Sequence, residues 1–444
     1  MIEETNRKLT LMKRIILLFG SLLSLGALSA QETVYPAPAQ TETFALTNAT
    51  VHIGNGEVIE NGMVVVSGGK IVDVRPNAAI MDVKIYDCKG KHIYPGLILS
   101  SSNLGLVEVG SVRATVDASE LGEMNPNIRS VVAYNTDSKV TNTLRTNGIL
   151  LANIVPQGGL ISGSSSVVQL DAWNWEDAIV SADRNIHFRM PSLLNRRGGG
   201  RGFFFSQQPA GDPVKRALEQ IDQVKGFFRE AKAYLAESKH EATNLKFESV
   251  RGLFDRSKKL FIHCDIVKEM LIAIDFAKEF GFDVVLVGAT DSWQIADILK
   301  QNNIAVVLNQ LHDLPVMADD DVDQPFKTPA MLQKAGVLFS INDDDGNTRQ
   351  RNLAFNAGTA VAYGLTKEQA LSAVTLNAAK ILGVADKTGS IEKGKDANIV
   401  VSNGDLLDMR GNMIEQAFIG GRKIEMTDKH KQLYERYKYK YGIK

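Results

Sequence analysis

The chain has 444 residues, 44% of them hydrophobic and 23% charged, with a formal net charge of −1. That is a globular composition, with length for one barrel-sized domain plus a smaller one and for a large core without staples. The near-neutral balance excludes the basic footprint that nucleic acid requires.

At the front, Lys13 and Arg14 precede an apolar run, Ile15 to Ala30, that ends in small residues before Gln31. The run is short for a bilayer span and fits a secretory signal peptide over residues 1–30, with Met12 as an alternative start. No Cys follows the apolar run, so no lipid anchor is expected. The expected location is exported, periplasmic, with no membrane span after cleavage. Residues 31–43, QETVYPAPAQTET, read as a linker. Cys88 and Cys264 are expected to be buried free thiols, because the fold argued below separates them.

From Phe44 the text alternates and turns. Strands are expected at Thr43 to Ile53, Met63 to Ser67 and Lys70 to Arg75, with Gly68-Gly69 closing a tight hairpin. The segment 44–94 is thus a small β module. A second one, with a hairpin in QAFIGGRKI (Gln416 to Ile424), occupies 386–427. Both ends being β-rich implies one β-sandwich assembled around an inserted domain. Residues 428–444 form a basic, aromatic tail.

The inserted domain, 95–385, alternates apolar strands with amphipathic helices. Strands are expected at Gly96 to Ser100, Ile149 to Val155, Leu260 to His263, Val284 to Val287, Ala305 to Leu308 and Val337 to Ile341. Helices are expected at Pro213 to Lys239, Ile266 to Phe280, Ser292 to Asn302 and Thr366 to Leu382, the last opened by the capping-box pattern TKEQ. Strands separated by helices make a parallel sheet, and this many units favour a TIM-like (β/α)8 barrel in an α/β chain. Gly158 to Ser166 (GGLISGSSS) reads as a polar turn or anion-binding nest, and Trp173 and Trp175 as packing on the barrel exterior. Asn195 to Gly211, NRRGGGRGFFFSQQPAG, reads as a loop over a pocket or partner surface rather than a nucleic-acid segment.

Several stretches carry a family resemblance. The front β module, YPGLI (Tyr94 to Ile98), NLAFNAGTAVAYGL (Asn352 to Leu365), ALSAVTLNAAKILG (Ala370 to Gly383) and GSIEKGKDANIVV (Gly389 to Val401) resemble the amidohydrolase superfamily, in its imidazolonepropionase-like branch. Asn398 stands where that last signature usually has Asp. The resemblance implies one or two divalent metals at the barrel mouth that activate water and polarise a carbonyl. It further implies ligands from an H-x-H on strand one, at times a carbamylated Lys on strand four, one His each on strands five and six, and an Asp on strand eight that also serves as base.

Checked residue by residue, Ser101 and Asn103 occupy the H-x-H positions, and Gly288-Ala289 the strand-six position. Neutral oxygen ligands replace imidazole poorly for zinc. His263 matches strand five and Asp343 strand eight. A mononuclear site would have to recruit Asn103, Cys264, Asp344 or Asp345. Asp343 to Gly346 is no calcium loop, because Ile341 and Asn352 would fall at its first and last ligand positions.

The resemblance therefore implies a hydrolase of carbon–nitrogen bonds other than protein peptide bonds, such as cyclic amides, acylated amino acids or small peptides, with the binuclear site lost. Asp343 would be general base, His263 a metal ligand or carbonyl polariser, and Asn103 and His312 substrate contacts. Asp343 and His263 would hold any metal, a zinc-like divalent ion if the family chemistry persists and none otherwise. The expected partners are a small molecule and further subunits, of this chain or of another. Two alternatives stay open: His263 as a packed barrel histidine, and a metal-free pseudoenzyme that binds a small ligand or partners an active relative.

Overall fold

Alternation becomes strands from Phe44 onward: β1 (Phe44–His52), β2 (Val58–Ser67), β3 (Lys70–Pro76), β4 (Lys84–Asp87) and β5 (His92–Pro95). In the computed structural model, which describes residues 34–194, 212–317 and 319–443, these strands belong to a compact unit running from Pro36 to Lys444. Residues 1–30, read above as a signal peptide, and 195–211, read as a loop, lie outside the described residues. Gly68 and Gly69 take φ of 57° and 78°, the doubly left-handed turn whose twist matches a hairpin, and Ser67 pairs with Lys70 across it.

The barrel follows as β6 (Leu97–Ser102), β7 (Ile149–Ile154), β8 (Ile161–Gln169), β9 (Ile179–Arg189), β10 (Lys259–Cys264), β11 (Val284–Gly288), β12 (Ala305–Leu308) and β13 (Phe339–Ile341), each beside the next. The pairs β6–β7 and β9 through β13 are parallel, as apolar runs linked by helices require. The third strand, β8, runs antiparallel to both neighbours.

That reversal corrects the reading of Gly158 to Ser166 as a turn or nest. Ser162, Ser164, Ser165 and Ser166 are buried within β8. Small side chains fit there because their hydroxyls find partners nearby: Ser164 and Ser166 donate to Asp183 at 3.2 and 3.3 Å. Trp175 packs partly on the barrel core, whereas Trp173 is exposed.

Helices cover the barrel where the periodicity placed them. Asp212 caps Pro213–Ala236, which buries Ala217, Ile221, Val224, Phe228 and Ala231. Phe228 meets Phe276 and Phe280 of Val267–Phe280, a helix that Gly281 ends in left-handed backbone. The expected helix Thr366 to Leu382 is two, Lys367–Ala373 and Leu376–Leu382, parted at Thr375, whose hydroxyl turns back to the Leu371 carbonyl at 2.6 Å. Thr366 and Gln369 form the capping box that the sequence announces. Cys88 and Cys264 are buried free thiols. No helix among the described residues is long and apolar enough to cross a membrane.

The chain then returns as β14 (Ile399–Ser402), β15 (Ile414–Ile419) and β16 (Arg422–Lys423). These join the first strands in one sheet of order β16-β15-β14-β5-β1-β2-β3, with β4 also on β1. The β domain is therefore a single continuous sheet bent over its own core, which includes Leu46, Val64, Ile93, Ile399 and Phe418. His52 on β1 reaches Glu368 of the barrel at 2.7 Å and so ties the two domains.

No ladder joins β13 to β6, and side chains close the ring instead. Buried Asn342 accepts from the Ser101 amide at 3.1 Å and donates to the Ser101 carbonyl at 2.9 Å, while Ser100 and Ser340 share a hydroxyl bond of 3.0 Å. One amide thus imitates a rung of sheet. Asn342→Ala strands both Ser101 backbone groups, so urea denaturation is expected to show a loss of about 2–3 kcal/mol. An unchanged midpoint would mean that the seam does not hold the barrel shut.

Candidate active site

Side chains at the carboxyl ends of the barrel's parallel strands converge on its mouth. Alternation along β10 sends His263 to one face and Cys264 to the other. Cys264 bonds back to the Ile262 carbonyl at 3.8 Å, and burial raises its thiol pKa well above the usual range. It is neither a thiolate nor a neighbour available to share a ligand with His263.

His263 has a partner the sequence reading missed. His187, on β9, places Nδ1 at 2.9 Å from His263 Nε2, and its own Nε2 lies 2.8 Å from Ser165 Oγ. Asn185 donates to that same Ser165 oxygen at 3.4 Å, so one hydroxyl joins Asn185 to the histidine pair. His187 thus stands between Ser165 and His263 in one buried hydrogen-bonded chain. Burial, reinforced by the Arg189 guanidinium, lowers both imidazole pKa values well below normal, and the pair is neutral.

Asp343 follows β13 and is buried. Its Oδ1 accepts from the Asp345 amide at 3.1 Å, and its Oδ2 from Asn356 Nδ2 at 3.1 Å. Asn356 belongs to the helix Leu353–Ala362, and its oxygen accepts from the amides of Leu311 and His312 at 2.7 and 3.3 Å. One amide thereby holds the Asp343 carboxyl against the His312 loop. Burial pushes the Asp343 pKa up to about 7, with smaller help from Asp344 and Asp345 and opposition from the Asp345 amide.

The remaining expected residues fall out as follows. His312 bonds Thr359 Oγ1 at 2.7 Å, which ties its ring to the helix that carries Asn356. Asn103 sits half-buried just beyond β6, where its carbonyl turns the chain by accepting from the Leu106 amide at 3.0 Å. Ser101 is taken up by the Asn342 seam. Asp344 accepts from the Gln310 amide at 3.2 Å, and Asp345 pairs with Arg349 at 2.7 Å. At the end of β11, Gly288 and Ala289 take φ of 88° and 45°, and a Cβ on Gly288 would stand 2.6 Å from Asp265 Oδ1. A side chain on residue 288 would need strained left-handed backbone and displacement of the Asp265 carboxylate.

These positions bear on a metal. His263 Nε2 is engaged with His187, and both Asp343 oxygens already accept hydrogen bonds. Among the described residues no three His, Cys, Asp or Glu side chains stand together as a metal cluster. A zinc held by three protein ligands does not fit this arrangement.

Comparison with known proteins agrees with the fold. The amidohydrolase family profile matches residues 254–424. An imidazolonepropionase of Mesorhizobium japonicum is 24% identical over 377 residues, covering 78% of this chain and 87% of that protein. The imidazolonepropionase of Thermoplasma volcanium is 49% identical over a shorter stretch of 86 residues, 19% of this chain and 21% of that one. Among solved structures, an amidohydrolase from Thermotoga maritima superposes with a TM-score of 0.74 at 25% identity, covering 86% of this chain and 99% of that one. A barrel with a β domain made from both chain ends, and these matches, place the chain in the amidohydrolase superfamily. Within it, the chain stands in the imidazolonepropionase-like branch.

The Asp343 environment makes a prediction about stability. Its carboxyl stays protonated in the folded state up to about pH 7 but ionises near 3.8 when unfolded. Between those values the folded state binds the extra proton, so this group's contribution to stability falls as pH rises and levels off above about 7. Asp343→Asn is expected to melt with the parent at about pH 4 and above it at about pH 8. Identical melting differences at both pH values would show that the folded carboxyl titrates normally.

Proposed function

We propose that this chain is an exported hydrolase of carbon–nitrogen bonds in small molecules, cyclic amides or acylated amino acids, working without the superfamily's binuclear metal centre. The observation that carries the reading is the buried Asp343 carboxyl, held at the barrel mouth by Asn356 where the branch places its base. The export reading rests on Lys13-Arg14 and the apolar run after them. The carbon–nitrogen chemistry is supported by the imidazolonepropionases among its relatives.

In the reaction, Asp343 as carboxylate takes a proton from water as the water oxygen bonds to the substrate carbonyl carbon. In the tautomer that accepts from His187, the neutral His263 carries its hydrogen on Nδ1 and has that one donor to offer the carbonyl oxygen as negative charge develops there. The carbon–nitrogen bond then breaks, and the Asp343 carboxyl returns its proton to the departing nitrogen. A pKa near neutrality suits a group that must take up and release the same proton. The opposing reading, a ligand-binding protein without turnover, is favoured by the amount of hydrogen bonding already satisfied around His263.

The deciding experiment assays purified protein, dialysed against a strong chelator, with a panel of cyclic amides and N-acyl amino acids. Turnover is expected to survive chelation, to rise with pH through about 7 as Asp343 ionises, and to fall about 10²–10⁴-fold in Asp343→Asn. Activity lost on chelation and restored by zinc would sink the metal-independent part. Saturable binding with no turnover across the panel would establish the ligand-binding reading instead.

A further inference from the structure

Beyond β16 the chain forms a helix, Lys429–Tyr441, of which no residue is buried. Its first turn is nonetheless fastened to the body. One Asp428 oxygen accepts from the His430 and Lys431 amides at 2.7 and 3.0 Å, and the other accepts from the buried Thr146 hydroxyl at 2.7 Å. Gly442 ends the helix in left-handed backbone with φ of 63°. A helix of 13 residues gains little from propensity alone and normally rests on a buried face. Here that face is missing.

The exposed side chains are nevertheless sorted. His430, Tyr434, Tyr437 and Tyr441 follow one another at spacings of four, three and four and so form one stripe. Its tyrosines are 63%, 51% and 64% exposed, and Tyr437 stacks on Tyr441 with centroids 6.2 Å apart. Lys431 and Lys438 run along one border of the stripe, and Lys429 and Lys440 along the other. Two of these ammoniums lean on the rings: Lys438 Nζ lies 5.4 Å from the Tyr434 centroid, and Lys440 Nζ 5.1 Å from that of Tyr441. Glu435 and Tyr439 fall on the far side.

Charge says what such a stripe would meet. Five Lys and Arg stand against one Glu along the helix, in a chain whose overall balance is −1. Lys429 and Lys431 sit at its start, where no acid offsets them and the helix dipole opposes cations. A placement that destabilises the helix points to an anion outside it.

We propose that this helix lies on an anionic phospholipid bilayer, with the tyrosine stripe among the headgroups and the lysine borders on the phosphates. A tyrosine ring is apolar while its hydroxyl stays wet, which suits headgroup depth. A partner groove or a coiled coil would call for aliphatic anchors along the stripe, and the helix's one aliphatic residue, Leu433, lies outside it. An aromatic face bordered by lysines is the pattern of a helix that rests in the interface plane without crossing it. The docking is independent of any chemistry at the barrel mouth.

Co-sedimentation of the full chain with lipid vesicles tests the docking. The parent is expected to bind phosphatidylcholine vesicles containing about 30% phosphatidylglycerol at least about tenfold more tightly than pure phosphatidylcholine, and to come off as salt rises to about 0.5 M. Lys438→Gln with Lys440→Gln should weaken binding about tenfold or more. The stripe variant, Tyr434→Ser with Tyr437→Ser and Tyr441→Ser, should do the same, whereas Tyr439→Ser should stay within about twofold of the parent. None of these side chains is buried, so an unchanged melting temperature separates lost docking from lost folding. A parent that ignores the anionic vesicles, or binds both kinds alike, overturns the proposal, as does equal weakening by Tyr439→Ser and the stripe variant. So does a parent dimer in sedimentation velocity that the stripe variant dissociates while vesicles go unbound, which would give the stripe to a second copy of the chain.

Discussion

The Asn342 side chain decides what the barrel mouth is. An eight-stranded ring needs its last strand bonded to its first, and here β13 and β6 meet through an amide and a serine pair rather than through a ladder. The exchange fixes the backbone of Ser101 at the end of the first barrel strand. The seam holds the main chain of Ser101 and makes no use of its hydroxyl. Ser102 is drawn in as well, since its hydroxyl donates to Gln350 at 2.8 Å.

The titratable side chains of the site stand on later strands. Asn185, Ser165, His187 and His263 form one hydrogen-bonded chain, in which one imidazole must accept from the other and so be neutral. Burial enforces that neutrality, and Arg189 adds to it by opposing a second positive charge nearby. Across the mouth the same desolvation acts on Asp343 in the opposite chemical sense, holding its proton on up to about neutral pH. One physical effect thus leaves uncharged imidazoles on β9 and β10 and a near-neutral acid after β13.

Much of this was legible in the sequence because it is written locally. The strands β10 through β13 are short apolar runs, the hairpin at Gly68-Gly69 is spelled by two glycines, and the helix at Lys367 is announced by Thr366 and Gln369. The strand β8 was not legible, since its serines suit a turn until Asp183 and His187 are known to stand opposite them. His187 went with it: RNIHFR looks polar, and only the register of β9 on β10 brings its ring to His263. Asn342 and Asn356 act across 241 and 13 positions, and an asparagine's partners are not encoded beside it.

The β domain carries a consequence for how the molecule is made. The edge of β5 pairs with β14, so Tyr94 waits for Val400 some three hundred residues later in the chain. Until the last strands are synthesised, the first five present an unpaired edge that invites wrong pairing. Contacts this distant in sequence are slow to form, because loop closure precedes any gain from the pairing. Assembly of the barrel brings the two ends together and shortens that search. The enzyme-sized insert is thus also the folding jig for the smaller domain, and damage to the barrel core should surface first as loss of order at both chain ends.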